Sequence, residues 1–386
     1  MQRKAFKFRL YPTPAQQTTL RDTLETCRGI YNSLLLERKV EYELTGKSPS
    51  RIEQINHLPI WKKAHPELSE VFSQVLQNVA KRVDLAFSAF FRRVKVGEKS
   101  GYPRFKGKGQ YDSITYPQKG FALVEDSVYL SKIGTIKAVL HRPVEGKVKT
   151  CSVRVQSGKW YVCFSCEVEA ENLPASDKAI GVDVGLLVFA ALSNAEMIEN
   201  PRFFRKDEKA LAKAQRKLAR QKRASKQRRK AKKVVSRIHE RIRFRRHDFV
   251  HQTTRRLVNR FGIIGVEALN VKNMSKSPAP KQDQETGEFL PNGHAARAGL
   301  NKSILDAAWS MFRNVLTMKA ASAAREVVNV NPAYTSQDCS GCGYRVQKTL
   351  SERVHVCPCC GLVLDRDINA ARNIHKIAVG LHSVPA

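Results

Sequence analysis

Cys339-Ser-Gly-Cys342 and Cys357-Pro-Cys-Cys360 are two knuckles with fourteen residues between them, and a glycine, Gly343 or Gly361, follows each second cysteine. Four thiolates at this spacing form a tetrahedral Zn²⁺ site. The glycines supply the tight backbone turn around the metal. Four cysteines close the coordination shell, so this zinc is structural, not catalytic. Cys359 lies inside the second knuckle and competes with its neighbours; Cys357 and Cys360 are the preferred pair. Another C-x-x-C, Cys163 and Cys166, falls in the strand-like run WYVCFSCEVE, where positions three apart face opposite ways. These two read as core cysteines, as do Cys27 and Cys151.

Three carboxylates stand where a charge is costly. Asp183 interrupts the apolar run IGVDVG, Glu267 ends IIGVE, and Asp367 lies in LDRDINAARNI at the start of a helical pattern. An acid among apolar residues needs compensation. One such acid is ordinarily a capped or paired structural group. Three, on separate elements of a basic chain, predict a Mg²⁺ cluster, because hard divalent cations take carboxylate oxygens and a metal pair can drive phosphodiester hydrolysis. Asp365 is two residues from Asp367; Asp367 is preferred because it opens the helix.

The elements that position these groups follow from periodicity. Residues 3–11 alternate, with Phe6, Phe8 and Leu10 on one face and Lys7, Arg9 and Tyr11 on the other. Thr13, Pro14 and Gln16 make a capping box with proline at the first helical position. Leu20, Leu24, Cys27, Tyr31 and Leu34 give that helix its stripe, and Gly46 ends it. Residues 51–96 read as a second helical block, striped by Phe72, Leu76, Val79, Val83, Phe87 and Phe90. Gln74, Gln77 and Lys81 lie off the stripe. They form either a solvated face or, since Gln pairs bidentately with adenine, a nucleic-acid face. Residues 97–120 mix Arg104 and Lys106 with Tyr102, Phe105 and Tyr111, which suits phosphate contact and base stacking but also a plain surface loop. Five alternating runs over residues 121–169 predict a small barrel completed by the first strand.

Residues 173–176 read as a boundary. Beyond them come a strand–turn–strand around Asp183 and a strand ending at Glu267. A long loop is expected at 275–300, a helix over 301–325 striped by Leu305, Ala308, Phe312 and Leu316, and a strand at 326–330. Residues 202–246 hold 21 Lys and Arg against Asp207, Glu208 and Glu240, a net +18. Leu211, Leu218, Val234, Ile238, Ile242 and Phe249 thread through them at helical spacing. A long helix or hairpin with one packed and one cationic face is expected, and Arg228, Arg229 and Lys230 are the candidates there for nucleic-acid binding.

Of 386 residues, 68 are Lys or Arg and 35 Asp or Glu, a net charge of +33. Such a surplus excludes an ordinary free metabolic enzyme and points to a polyanion, with nucleic acid ahead of an anionic membrane. No run is long and apolar enough for a membrane span, and the N-terminus lacks a signal-peptide core. Paired cysteines in such a chain point to metal in a reducing compartment.

GVDVGL, VEALNVKNM, the paired cysteine knuckles and DRDINAARNI together resemble, in order, the three RuvC-type nuclease motifs and the zinc insertion of the TnpB family of transposon-associated RNA-guided nucleases. KAFKFRLYPTPAQ and GYPRFKGK are similar to it as well, so the resemblance covers nearly the whole chain. It implies an α+β multidomain fold. A wedge β-barrel (residues 1–12 and 101–174) would be split by a helical recognition domain (13–100). An RNase H-like (RuvC) α/β nuclease domain (175–332 and 363–386) would follow, with the basic helical segment 202–260 and the loop 275–300, and a four-cysteine zinc ribbon (333–362) inserted in it.

The resemblance puts Asp183, Glu267 and Asp367 on the catalytic, Mg²⁺-holding acids and Cys339, Cys342, Cys357 and Cys360 on the zinc ligands. Lys7, Arg9, Gln74, Gln77, Lys81, Arg104, Lys106, Arg228, Arg229 and Lys230 become candidates for contact with a guide RNA and double-stranded target DNA. A monomer on the RNA, a prokaryotic cytoplasm near the nucleoid and no membrane are the expected setting. Cleavage would leave 5′-phosphate and 3′-hydroxyl ends. Ala268 departs from the pattern, standing where an acid is common, and the 275–300 loop is longer than in compact members. An RNA-guided repressor would lack the acids. An acidic-triad transposase would need no RNA, and a nonspecific zinc-ribbon binding protein would leave the acids without a role.

Overall fold

Phe6, Phe8 and Leu10 are buried on one face of β1 (Gln2–Tyr11), the alternation read from the sequence. The computed structural model describes residues 2–170, 172–349 and 351–382, and the chain forms two compact units, Met1–Glu169 and Ala170–Ala386. In the first unit β1 is followed by α1 (Pro14–Thr45), α2 (Arg51–Ala64) and α3 (Ser73–Lys95). The chain then enters β2 (Ser113–Tyr116), β3 (Phe121–Val124), β4 (Ser127–Leu130), β5 (Gly134–Val139), β6 (Lys147–Gln156) and β7 (Lys159–Val168).

The helix signals are realised locally. Thr13 Oγ1 accepts the Gln16 N–H while the Gln16 side chain accepts that of Thr13, and Gly46 takes the left-handed conformation (φ 72°) that closes α1. The 51–96 block is two helices, not one. Pro66 opens a 3-10 turn, Pro66–Glu70, between α2 and α3, as its missing N–H and the restricted His65 require. Buried Arg38 of α1 ties the three helices by bonding Gln54 (2.8 Å) and Asp84 (3.2 Å).

The seven strands pair antiparallel in the order β2-β6-β7-β1-β5-β4-β3. β1 is therefore central, as a barrel-completing strand should be, but β2 and β3 remain edges. The sheet is a half-barrel, not the closed barrel expected. Its curl brings Tyr116 at the end of β2 within reach of the Ser131 carbonyl, to which its hydroxyl donates (3.1 Å). The short β2 went unread in the sequence because it lies in the basic, Gly-rich stretch.

The second unit contains β8 (Ala179–Val184), β9 (Val188–Leu192), β10 (Met197–Glu199), α4 (Phe203–Ala219), α5 (Lys226–Arg260), β11 (Ile263–Glu267) and α6 (Val271–Met274). After these come β12 (Lys281–Gln282), β13 (Phe289–Leu290), α7 (His294–Ala307), α8 (Trp309–Ser322), β14 (Glu326–Val330), β15 (Val354–Val356), β16 (Val363–Asp365) and α9 (Arg366–His382). Its main sheet has the order β10-β9-β8-β11-β14. β8, β9 and β10 run antiparallel, whereas β8, β11 and β14 are mutually parallel. Ile180, Val182, Ile264 and Val266 join Val250, Leu257, Phe312 and Leu316 of α5 and α8 in the core.

Two expectations change here. The 275–300 loop carries the β12–β13 ladder and yields to α7 at His294. The 301–325 helix is α7 and α8, separated by Ala308 in the left-handed region (φ 58°). That break turns Leu305 outward and buries Ile304, Ala307 and Trp309 instead. Among the described residues no helix is long and apolar enough to cross a membrane.

Candidate active site and metal centre

Strand periodicity puts Gly181 and Asp183 of β8 on one face of the sheet, and Gly265 and Glu267 of β11 on the same face. The two strands are parallel with Val266 opposite Val182, so Asp183 and Glu267 follow side by side at adjacent strand ends. α9 lies on this face along the glycines. A Cβ on Gly181 would stand 2.1 Å from the Ala371 carbonyl oxygen, and one on Gly265 would stand 2.6 Å from the Ala378 Cβ. The helix can therefore approach the strand backbones only because both positions lack side chains.

Asp365 caps α9, its Oδ1 accepting the N–H groups of Asp367 (2.8 Å) and Ile368 (3.2 Å). It leaves Asp367 in the first helical turn, where the helix dipole favours an anion. Asp367 Oδ2 lies 3.8 Å from the position a Cβ on Gly185 would occupy, at the turn that follows β8. Three carboxylates from three elements thus lie toward one corner of the sheet, near enough for Glu267 and Asp367 to act on Asp183, though among the described residues only the four cysteines form a group with ligand atoms all within 4.8 Å of one another.

Their electrostatics are those of a crowded anionic site. Burial, then the charges of Glu267 and Asp367, push the Asp183 carboxyl well above the usual range, against some relief from Arg366. Burial raises Glu267 as well, opposed by a hydrogen bond from Thr335. Burial and Asp365 raise Asp367, while Arg353, with Nη1 3.7 Å from Oδ1, and Arg366 pull it down.

The four knuckle cysteines converge. Among the described residues, Cys339, Cys342, Cys357 and Cys360 have ligand atoms all within 4.8 Å of one another, and Cys359 is exposed and outside the group. Cys339 and Cys360 Sγ are 3.6 Å apart, as are those of Cys342 and Cys357. That is too long for a disulfide and close to the ~3.8 Å edge of a tetrahedron with zinc–sulfur bonds of ~2.3 Å. The knuckles fold alike. The Cys339 N–H donates to Tyr344 O and that of Gly343 back to Cys339 O. Cys357 with Leu362, and Gly361 with Cys357, repeat the pattern. Gly343 and Gly361 both have positive φ (80° and 71°). Against burial, which raises it, the backbone donors of Cys360 and Cys359 and then the neighbouring sulfurs lower the Cys357 thiol to about 6; against the backbone donor of Tyr344, burial and the three other thiols push Cys342 up to about 12.

A polar strut joins the two sites. The Asn369 side chain, on α9 two residues beyond Asp367, accepts the Ser340 N–H (2.9 Å) and donates to Asp338 O (2.9 Å). One turn on, Asn373 donates to Thr335 O (2.8 Å) and Asp338 O (2.6 Å). Thr335 in turn holds Glu267. Sequence reasoning missed Thr335, Arg353, Asn369 and Asn373. Only the asparagines left a signal, their i, i+4 spacing behind Asp367.

The comparisons with known proteins bear on this arrangement. A model described as "Probable transposase" matches residues 162–278, and one described as "Cas12f1-like, TNB domain" matches residues 309–374. The chain is 34% identical over 389 residues to the "Putative RNA-guided DNA endonuclease InsQ" of Escherichia coli K12, covering 99% of this chain and 93% of that protein. The chain belongs to the TnpB family. A second relative, the "Putative RNA-guided DNA endonuclease" of Streptomyces pristinaespiralis, is also 34% identical, over 98% of this chain and 90% of its own length. The cryo-EM structure of a Cas12f1–sgRNA–target DNA complex shares the fold, with a TM-score of 0.56 at 16% identity, over 94% of this chain and 82% of that one. A helix-turn-helix model matches residues 1–47, yet in this TnpB-family chain those residues form β1 and the single continuous helix α1.

The residues expected to meet nucleic acid have mixed surroundings. Lys81, Gln77, Arg104, Arg229 and Lys230 are exposed. Gln74 accepts the Lys119 N–H (3.1 Å), and Lys106 fixes its loop by backbone bonds to Arg28 and Asn32. Lys7 and Arg9 lie over the Tyr161 ring on the outer face of β1. Arg228 turns inward, its Nη1 donating to the Leu218 and Gln221 carbonyls (3.0 Å each) that end α4. Two acids of α4 are held in ion pairs, one across the α4–α5 hairpin and one that reaches α7. Asp207 pairs with Arg241 and Arg245, and Glu208 with Arg205 and Lys302. Lys222, Arg223 and Lys226 at the hairpin tip stay exposed, and so does Val234 of the expected stripe.

Proposed function

We propose that this chain is an RNA-guided DNA endonuclease that binds a transposon-derived guide RNA and hydrolyses double-stranded target DNA next to a short recognition motif. The relatives that carry this name match it over nearly their whole length. The observation that supports the catalytic part is the placement of Asp183 and Glu267 at adjacent parallel strand ends, with Asp367 in the first turn of α9 against the turn after β8, near enough that Glu267 and Asp367 both act on the Asp183 carboxyl.

Hard oxygen donors, two of which raise the pKa of the third, fit a divalent cation, which would let all three ionise together. Mg²⁺ held by these acids would supply Lewis-acid stabilisation at the phosphate and a more acidic water. The chain's own residues do the positioning. β8 and β11 fix Asp183 and Glu267 side by side, Asp365 starts the helix that presents Asp367, and Thr335 orients Glu267. We read the second sheet, with its order β10-β9-β8-β11-β14, as an RNase H-like, RuvC-type domain and residues 333–362 as its zinc ribbon; the four clustered cysteines support the latter. Zn²⁺ on Cys339, Cys342, Cys357 and Cys360 would hold Thr335 and Arg353 in place.

The half-barrel and helices α1–α3 serve as wedge and recognition domains, and the cationic α4–α5 hairpin serves the RNA or heteroduplex backbone. Base pairing supplies sequence specificity, the division of labour known for Cas9-type effectors. A monomer on its RNA, in the cytoplasm near the nucleoid, is the working form. The test is to purify the protein from cells carrying its native flanking DNA, sequence the RNA that accompanies it, and assay target cleavage in Mg²⁺. One enriched RNA species with a variable end, and cleavage that Asp183→Ala abolishes while RNA binding persists, is the expected result. Random RNA, or cleavage that survives Asp183→Ala, overturns the reading.

A further inference from the structure

Arg366 stands in sequence between the residue that caps α9 and the acid that α9 presents, yet among the described residues its guanidinium pairs with no carboxylate. Its Nη1 donates to the Thr349 carbonyl (3.0 Å) and the Glu352 carbonyl (3.3 Å), and its Nη2 lies 3.5 Å from Ser336 Oγ. Its backbone N–H donates to the Arg353 carbonyl (2.8 Å). One residue thus gathers two segments of the cysteine-rich region, and each segment touches an acid. Ser336 follows Thr335, whose hydroxyl donates to Glu267 (2.7 Å). Glu352 precedes Arg353, whose Nη1 lies 3.7 Å from Asp367 Oδ1.

The partners of this guanidinium are not those its charge would choose. Arg366 is near enough to Asp183 and Asp367 for its charge to act on both carboxyls. A guanidinium free to turn beside carboxylates forms bidentate pairs with them. Here the donors go to two carbonyls and a hydroxyl instead. Lys348, near enough to Arg366 for the two charges to oppose each other, is held in the same way. Its Nζ donates to the Ser336 carbonyl (3.2 Å) and meets His355 Nδ1. Among the described residues Asp183 and Glu267 therefore pair with no cation, and Asp367 pairs only with Arg353.

We propose that Arg366 is a positioning residue through which the zinc ribbon sets the divalent-cation site. Its guanidinium gathers the ribbon segments that touch Glu267 and Asp367. The ribbon carbonyls in turn keep the guanidinium beside the carboxylates but off their oxygens, which stay free for the cation. Loosening the ribbon frees Arg366, and removing Arg366 frees the ribbon segments, so either change reaches the acids by the same contacts. The proposal rests on the endonuclease reading above and names the residue that orients the acids of that site.

The experiment uses the full chain with its co-purified guide RNA and no DNA. Binding of Mn²⁺, which shares the oxygen ligands of Mg²⁺, is followed by electron paramagnetic resonance, with the Asp183→Ala complex as the blank for cations held by the RNA. Bound zinc is measured beside it by elemental analysis, and Mg²⁺-dependent cleavage of a matched target is measured separately. Arg366→Ala is expected to keep about one zinc per chain, since all four cysteines remain. It should weaken Mn²⁺ binding about 10- to 100-fold, the scale for groups that orient metal ligands, and raise the Mg²⁺ concentration for half-maximal cleavage with it. Arg366→Lys keeps the charge without the planar fork and should fall between Arg366→Ala and the wild type. Cys360→Ser should weaken Mn²⁺ binding on its own and add little to Arg366→Ala, because residues that act through shared contacts are not additive. Wild-type Mn²⁺ affinity in Arg366→Ala, full recovery in Arg366→Lys, or losses that multiply in the double variant overturn the proposal. If Arg366→Ala loses its zinc, Arg366→Lys carries the test, and wild-type Mn²⁺ affinity there overturns it. Failure of the endonuclease reading appears separately, as Mn²⁺ binding that Asp183→Ala leaves unchanged or as cleavage that survives that substitution.

Discussion

Thr335 Oγ1 donates a 2.7 Å hydrogen bond to Glu267 Oε1, linking the segment before the first cysteine knuckle to the carboxylate that ends β11. The bond opposes the burial that raises Glu267. Thr335→Val keeps the branched shape and removes the donor, so the Glu267 pKa should rise further. Cation binding needs the ionised carboxylate. The acid limb of the cleavage pH–rate profile in Mg²⁺ is therefore expected to move to higher pH, with the alkaline side unchanged. An unmoved acid limb would mean that Glu267 is not among the titrating groups.

Asp183 carries a stability cost of the opposite sign to an ordinary salt-bridged aspartate. Its folded pKa is raised, so the native state prefers the proton. The associated stability is present at low pH and lost as pH rises from the usual carboxylate range through the raised value. At neutral pH without divalent cations, Asp183→Asn is expected to melt higher than the wild type, by ~2–4 °C for each ~1 kcal/mol relieved. The gap should close in acid. Added Mg²⁺ should raise the wild-type melting temperature and leave the variant nearly still. A variant that melts lower at neutral pH would show that the charge is already compensated within the chain.

Much of this was legible in the sequence because its signals were local. The alternation around Phe6, Phe8 and Leu10, the Thr13–Gln16 capping box and Gly46 each act within a few residues, and each reappears in the structure. The isolation of Asp183, Glu267 and Asp367 in apolar surroundings was equally local. What stayed hidden depends on distant partners. Thr335 gains its role only when α9 docks, and Arg228 looked like every other cation in its run until α4 ended beside it. The break at Ala308 had no glycine or proline to mark it, so periodicity ran through it and misassigned Leu305.

The cysteine cluster separates two neighbouring thiols. Cys360 belongs to the group of four and Cys359 does not. Cys360→Ser is expected to lower bound zinc, measured by elemental analysis, and to reduce target cleavage as the Thr335 strut loosens. Cys359→Ser should retain about one zinc per chain and wild-type cleavage. Equal zinc loss in both would mean that the second knuckle uses Cys359.

The glycine track under α9 gives the sharpest packing test. A Cβ on Gly181 would fall 2.1 Å from the Ala371 carbonyl oxygen and 2.5 Å from the His375 nitrogen, both backbone atoms that no rotamer change can move. Gly181→Ala must therefore lift α9 from β8, at a cost of about 1–3 kcal/mol by the scale of core overpacking. α9 presents Asp367, so displacement also separates Asp367 from Asp183. Cleavage is expected to fall by more than the loss of folded protein accounts for, measured as rate per folded molecule beside a thermal melt. Gly380→Ala is the control. It lies on the same helix with no neighbour within 4 Å, so alanine should stabilise the helix by up to ~1 kcal/mol and leave cleavage unchanged. If Gly181→Ala melts and cuts like the wild type, α9 does not rest on the β8 backbone, and the convergence of Asp367 with Asp183 fails with it.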